Sequence, residues 1–320
     1  SRAYRSAATA LAPTATRSHL SKQNTGLPVI HSGTVNWNFL PRQDHSRRQI
    51  HDNVDEPSPL IVNAHMCQLL GMNCNVPTDI VFSFTGFATR GGLTDEHKDG
   101  WGIAFFEDAG VRLFVDHESA VASPVAQLIK SYPIKSKNVI SHIRKATQGQ
   151  VALENCHPFV RELWGKYWVF AHNGDLKNFS PALNGPFRPV GNTDSELAFC
   201  YLLQQLREKF GDTPPTIDTL RVALGTLTAE IAAHGVFNMM LSDGSALYAH
   251  CSTRLHYIIR QYPFTQAKLS DEDLTVDFSE VTTPNDRVAV IVTEPLTTNE
   301  TWQAFSTGEL KVFVDGAPLN

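Results

Sequence analysis

Residues 66–80 read MCQLLGMNCNVPTDI, and they divide the chain in two. Positions 1–65 before them show no sustained period of 2 or 3.6. Pro, Ser, Asn and His punctuate that stretch, so it offers no continuous face to bury. It reads as disordered or non-native: translated upstream sequence from a misplaced start, or a removable propeptide. From Met66 the character changes. MCQLLGMNC is a short apolar run suited to a buried strand, and TDIVFSFTGFATRGG reads as a helix with Thr78 as N-cap and glycines closing it. Met66 is also the first methionine of the chain, and a cysteine follows it directly.

Composition limits the classes of function. Of 320 residues, 42% are hydrophobic and 18% charged, the balance of a globular domain able to bury a core. Residues 1–65 carry seven Lys/Arg against four acids, leaving 20 basic and 28 acidic residues in 66–320, a net of −8. An acidic domain argues against nucleic acid as partner. No apolar run approaches the roughly 18–20 residues that span a bilayer, so no membrane is expected either. Cys67, Cys74, Cys156, Cys200 and Cys251 are scattered, with no close CxxC pair. They fit neither a disulfide framework nor a zinc site, and they point to a reducing, cytoplasmic compartment with no metal. The first 22 residues have the Arg/Ser/Ala-rich, acid-poor composition of a transit peptide, but no amphipathic helix follows.

Along 66–320, GWGIAFFEDAGVRLFVD is a hairpin turning at Asp108-Ala109-Gly110, and helix signals run from Ser119 to Lys130. NVISHIR and KYWVFAHNGD are strands that end in polar clusters. TDSELAFCYLLQQLREKF is a helix opened by a Thr193/Glu196 capping box, and a second helix spans about 216–233. VFNMMLSD, ALYAH, LHYIIR, DRVAVIVT, ETWQAF and LKVFV follow as strands. Helices grouped between runs of hairpin-linked strands predict an α+β layered sheet protein.

The candidate chemistry begins at Cys67. A cysteine at a chain terminus has a base of its own, because a free α-amino group titrates near about 8 and lies within reach of the side chain. The ordinary alternative is a small buried hydrophobe. Three later clusters bear on the choice. SHIRKATQG (141–149) places Arg144 and Thr147 just past a strand. AHNGD (171–175) sets the amide of Asn173 beside Gly174, whose N–H a ligand can approach closely. GNTDSE (191–196) puts Asp194 in the first turn of a long helix. Singly these are strand-end polar groups, a turn and a cap.

Together, MCQLLGMNCNVPTDI, HKDGWGIAF, SHIRKAT, ENCHPF, ELWGKYWVFAHNGD, FRPVGNTDSE and TTPNDRVAVIVTEPLT, in that order, make residues 66–320 resemble the class II, N-terminal-nucleophile glutamine amidotransferases, in particular their stand-alone bacterial YafJ-type branch. The resemblance implies a four-layer αββα Ntn-hydrolase sandwich of two mainly antiparallel sheets. It implies hydrolysis of a γ-glutamyl amide through a Cys67 thioester, releasing ammonia or an amine. Asn173 and Gly174 are implied as the oxyanion hole, Arg144 and Thr147 as holders of the substrate α-carboxylate, and Asp194 as the partner of its α-ammonium. His142, His172 and Trp101 are expected to support the site, and Cys156 to be an inert buried thiol. The implied substrate is glutamine or a γ-glutamyl small molecule, with an ammonia-accepting partner subunit as an option and no cofactor. Two alternatives stand beside this: a γ-glutamyl peptide or conjugate (glutathione-like) hydrolase, and a non-catalytic regulatory subunit.

Overall fold

Strand β1 (Gln68–Thr78) is the axis of the architecture. The computed structural model describes residues 67–146 and 150–319, so the expectations for 1–65, Met66 and Thr147 lie outside the described residues. The first seven residues of β1 are buried, which is why QLLGMNC reads as apolar on both faces rather than alternating. After it come α1 (Val81–Thr89), the hairpin β2 (Trp101–Glu107) and β3 (Gly110–Asp116), α2 (Pro124–Ser131) and β4 (Ser136–Ile143). Strands β5 (Phe159–Leu163) and β6 (Lys166–Leu176) form the next hairpin, followed by helices α3 (Asp194–Phe210) and α4 (Ile217–Ala232). The rest is strand: β7 (Gly235–Ser242), β8 (Leu247–Cys251), β9 (His256–Gln261), β10 (Gln266–Lys268), β11 (Thr275–Asp277), β12 (Arg287–Val292), β13 (Gln303–Ala304), β14 (Glu309–Val314) and β15 (Ala317–Pro318).

These build two large antiparallel sheets, a seven-stranded one in the order β13-β9-β12-β1-β4-β2-β3 and a six-stranded one in the order β15-β14-β8-β7-β6-β5, while β10 and β11 pair as a separate two-stranded ribbon. Strand alternation then assigns each face. Leu70 and Met72 of β1, with Val139 and Val290, pack under Phe84 and Phe87 of α1 and Ala126 and Ile129 of α2. Trp168 and Phe170 of β6, with Met239 and Tyr248, pack under Phe199, Leu203 and Leu224 of α3 and α4. The opposite faces meet as a third core of Leu69, Ile140, Val169, Ala171, Met240 and Leu247. The result is the α+β sandwich of four layers, helix, sheet, sheet, helix. Gly71 sits where the sheets approach closely, since a Cβ there would lie 2.8 Å from the Met240 sulfur.

Several local expectations are corrected. Thr78 does not cap α1: it ends β1 and donates to the Val76 carbonyl (3.0 Å), while Asp79 accepts from Val81 N (3.2 Å). The helix closes on Arg90, with Gly91 and Gly92 just beyond it. Helix α2 starts five residues later than the sequence suggested, at Pro124, whose missing N–H suits a first helical position. The cluster AHNGD does stand at the end of its strand, one residue before β6 stops at Leu176. The capping box is half formed: Thr193 Oγ1 accepts from Glu196 N (3.2 Å), but the Glu196 carboxylate turns away to Arg161 and to the N–H groups of Val190 and Gly191. Strand β5 carried too few alternating residues to be recognised.

Candidate active site

The parity that puts Leu69 and Gly71 between the sheets puts Cys67 there too. The same holds for Asn173, two residues past Ala171 on β6, and for His142 and Arg144, following Ile140 on β4. Nucleophile, amide and guanidinium candidates thus converge at one end of the inter-sheet layer from three separate strands.

Cys67 is half-buried, and its thiol donates to Lys145 O (3.2 Å) while accepting from Lys145 N (3.1 Å). Burial pushes the thiol up to about 11; the Lys145 N–H and the Arg144 charge pull it down, and Asp194 pushes it further up. With its nitrogen in a peptide bond this sulfur stays protonated at neutral pH, so a proton acceptor is required before it can attack. Asn173 Nδ2 donates to the Cys67 carbonyl, which ties the candidate oxyanion donor to the candidate nucleophile. Asn173 Oδ1 is buried without a partner.

Gly174 owes its place to the strand pairing. Strand β5 pairs with β6 only from Lys166 to Phe170, so beyond Phe170 that edge of β6 is open. On the β7 side the odd-numbered positions pair, as Lys177 N donating to His234 O (2.7 Å) shows. The even-numbered N–H groups therefore face the open edge. Leu176 N confirms the direction by donating to Asp194 Oδ2 (2.8 Å), and Gly174 N shares it. A Cβ at Gly174 would lie 1.8 Å from Val236 O, so only glycine fits.

Arg144 is buried, with Nη1 donating to Gln150 O (3.1 Å) and Asp99 O (3.4 Å). Its backbone is laced to residues 99–100, Arg144 N to Gly100 O (2.8 Å) and Asp99 N to Arg144 O (3.2 Å). Asp99 Oδ2 accepts from Ala146 N (2.8 Å), which pins the start of the loop that leads to Thr147. Asp194 opens α3 and accepts from Leu176 N and Ser195 N (2.9 Å), so two N–H donors hold its carboxylate. It lines an open polar cleft of about 390 Å³ with Leu176, Asn178, Phe179, Asn192 and Thr193.

The supporting residues fall on different layers. His172 lies on the helix side of β6, where Nε2 donates to Val236 O (3.1 Å) and Nδ1 accepts from Ser195 Oγ (2.8 Å), assigned from these partners. That bond registers β6, which carries Asn173 and Gly174, against the start of α3, which carries Asp194. His142 packs against His157 at 4.2 Å between ring centroids with the rings tilted by 45°, and no ring nitrogen of either has a partner. Burial holds both imidazoles well below their usual value, and holds His172 below it too despite the Asp194 charge. Trp101 is on the opposite face of its sheet from Cys67, fully buried against Phe84. Cys156 is buried, its thiol likewise pushed up to about 11 by burial. Among the described residues no group of three His, Cys, Asp or Glu could hold a metal ion. No helix among them is long and apolar enough to cross a membrane.

Sequence reasoning missed Thr293, whose Oγ1 accepts from Leu69 N (2.9 Å) and Asn173 Nδ2 (3.4 Å), and Asn238, whose Nδ2 donates to Asn173 O (3.2 Å). Asn238 sits in a stretch read only as a strand, and Thr293 in a block that carried the resemblance without being given a role of its own. A polar residue within an otherwise apolar buried strand was the available signal.

The class II glutamine amidotransferase family model matches residues 66–320. The YafJ protein of Escherichia coli K12, named as a glutamine amidotransferase, is 54% identical over 251 residues, covering 78% of this chain and 98% of that protein. A protein of Methanocaldococcus jannaschii is 37% identical over 257 residues, 78% of this chain and 70% of its own. Among solved structures, a glutamine amidotransferase from Pseudomonas aeruginosa, so titled from its sequence, superposes with a TM-score of 0.64 at 47% identity, covering 79% of this chain and 100% of that one. The glutamine phosphoribosylpyrophosphate amidotransferase of B. subtilis, at 14% identity and a TM-score of 0.50, shares the fold over 79% of this chain and 48% of its own.

Proposed function

Because the chain belongs to the class II glutamine amidotransferases, we propose that it cleaves the γ-amide of glutamine, or of a γ-glutamyl compound, through a thioester on Cys67. Residues 66–320 are the catalytic domain in this reading, and the working form begins at Cys67. The α-amino nitrogen takes the thiol proton as sulfur bonds to the carbonyl carbon of the γ-carboxamide, and the carbonyl electrons move onto oxygen. Asn173 Nδ2 and Gly174 N–H receive that charge. As the tetrahedral state collapses, the C–N bond breaks and the α-ammonium returns its proton to the leaving amine. Water then attacks the thioester by the same route and frees the glutamyl carboxylate. Arg144 pairs with the substrate α-carboxylate, a geometry suited to its planar fork, with Thr147 beside it and Asp194 on the α-ammonium. His142, His172 and Trp101 support the site; the His172 ring nitrogens are already engaged, by Val236 O and Ser195 Oγ, so that ring positions rather than exchanges protons with substrate. Ammonia passes to a partner subunit or leaves freely.

The observation that carries this reading is the Asn173 amide donating to the Cys67 carbonyl, with Arg144 and Asp194 near enough to move the thiol pKa in opposite directions. Purified protein with Cys67 at its N-terminus should release ammonia from glutamine, and Cys67→Ala should release none. Cleavage of γ-glutamyl conjugates with glutamine untouched would make the protein a conjugate hydrolase instead. Turnover by a chain still carrying residues 1–66 would refute the α-amino base, because an amide nitrogen has no basic lone pair. No turnover on either substrate class leaves only the non-catalytic subunit.

A further inference from the structure

The Gly174 N–H belongs to the peptide unit whose carbonyl is that of Asn173, so whatever holds the carbonyl aims the N–H. Asn238, on β7 directly opposite Asn173, is buried, and to the ladder pairing of the two strands it adds its side chain as a second donor to that carbonyl. Its Nδ2 donates to Asn173 O (3.2 Å) and to Thr253 Oγ1 (2.8 Å), and its Oδ1 accepts from Ser252 N and Thr253 N (3.0 Å each). Two backbone N–H groups on Oδ1 fix which end of the amide is oxygen, so Nδ2 has to face the Asn173 carbonyl. A carbonyl that accepts a hydrogen bond also polarises its own peptide, strengthening the N–H at the other end as a donor.

Thr293 does the equivalent for the second donor. The β1–β12 ladder runs up to Leu70 opposite Val292 and then changes character. Leu69 N donates to the Thr293 hydroxyl (2.9 Å), while the Thr293 carbonyl is taken by His256 Nδ1 (3.0 Å). The same hydroxyl accepts from Asn173 Nδ2 (3.4 Å), the amide that reaches Cys67 O. One buried oxygen thus joins the start of β1, which carries the nucleophile, to the carboxamide beside it.

We propose that Asn238 and Thr293 are positioning residues for the oxyanion site. Asn238 orients the Gly174 N–H through its peptide, and Thr293 holds the Asn173 carboxamide. Neither touches substrate. The role rests on the proposed function only for the identity of the charge being received; the orientation itself is a property of the resting protein.

Asn238→Asp keeps an acceptor for Ser252 N and Thr253 N but turns an oxygen toward Asn173 O, so the carbonyl keeps its ladder N–H from β7 and loses the side-chain donor that sets its angle. In the active form, kcat should fall about tenfold to a hundredfold, less than outright loss of a donor, with KM for glutamine little changed. Thr293→Val should do the same, and Thr293→Ser should recover most of the loss. A γ-aldehyde analogue of glutamine supplies a readout that a purely structural role would not move. Cys67 sulfur bonds to its carbonyl carbon, and the carbonyl oxygen enters the oxyanion site. Its affinity should fall in parallel with kcat, while that of glutamate, which forms no such oxyanion, stays put. Equal losses for aldehyde and glutamate, or an unchanged kcat in both Asn238→Asp and Thr293→Val, would overturn the proposal. With glycine-selective 15N labelling, the Gly174 amide resonance should move in folded Asn238→Asp while that of Gly225 does not. An unmoved Gly174 resonance overturns the Asn238 role even if wild-type protein turns over nothing, the result that sinks the proposed function alone.

Discussion

Gly174→Ala tests the placement of the oxyanion peptide most directly. A Cβ there would lie 1.8 Å from Val236 O, 2.4 Å from His172 Nε2 and 2.6 Å from the Val236 carbonyl carbon. None of these can yield cheaply. Val236 is main chain in the neighbouring strand, and the His172 ring is held at both nitrogens. The strand must therefore move by on the order of 1 Å, at an overpacking cost of about 1–3 kcal/mol, toward the upper end because backbone is involved. A displacement of that size misdirects the Gly174 N–H, so kcat should fall about a hundredfold, up to about a thousandfold if the donor is lost outright. Urea unfolding and steady-state ammonia release on the same preparation separate the two effects. Gly225→Ala is the control: it lies inside α4 with only Leu310 Cδ2 near, at 4.0 Å, and should stabilise by about 1 kcal/mol. If Gly174→Ala keeps wild-type stability and wild-type kcat, the peptide does not sit where the close contact with β7 puts it.

Acid should destabilise the fold, because burial depresses the pKa values of His142, His157, His172 and His250 in the native state. Their contribution is fully present above the unfolded value near 6.5 and is lost as pH falls, about 1.4 kcal/mol per unit of depression. A urea midpoint that stays flat from pH 7.5 to 5 would contradict this, and His142→Leu should reduce the slope. Alkylation of Cys67 in a chain that retains Met66 should keep accelerating as pH rises toward about 11, where burial places the thiol. A plateau below pH 9 would show an unburied sulfur. Thr193→Ala should cost about 1 kcal/mol by removing the acceptor of Glu196 N, measurable by urea unfolding. Arg161→Met should cost about 3 kcal/mol or more, since it leaves the Glu196 carboxylate, 2% exposed, with two N–H donors and no counter-charge. A loss under 1 kcal/mol would mean that those N–H groups carry the charge alone.

Much of the fold was legible because the hydrophobic pattern of a two-sheet sandwich is local. The burial of β1, the β2–β3 hairpin and helices α3 and α4 all follow from runs of apolar residues and the residues that stop them. Errors gathered where a polar residue has two local uses. Thr78 and Asp79 compete for one helix start, and Asp79 supplies the acceptor because Thr78 is still in β1. Glu196 satisfies the capping spacing, but a longer-range arginine outbids the local N–H.

Sequence alone supplied the candidates for the site: Cys67, Arg144, Asn173, Gly174 and Asp194 stand in ordered blocks whose chemistry suits an amide. Side-chain parity even limited which of them could share a face, because alternation along a strand is a local rule. Tertiary structure decided the rest. It set the direction of the Gly174 N–H, which depends on where β5 stops pairing, and it brought Asn238 and Thr293 to Asn173, one of the proposed oxyanion donors, from positions 65 and 120 residues away. Hydrogen bonds between residues so far apart leave no periodic trace in the chain, since nothing in a strand's own pattern records which buried polar group its neighbour will offer.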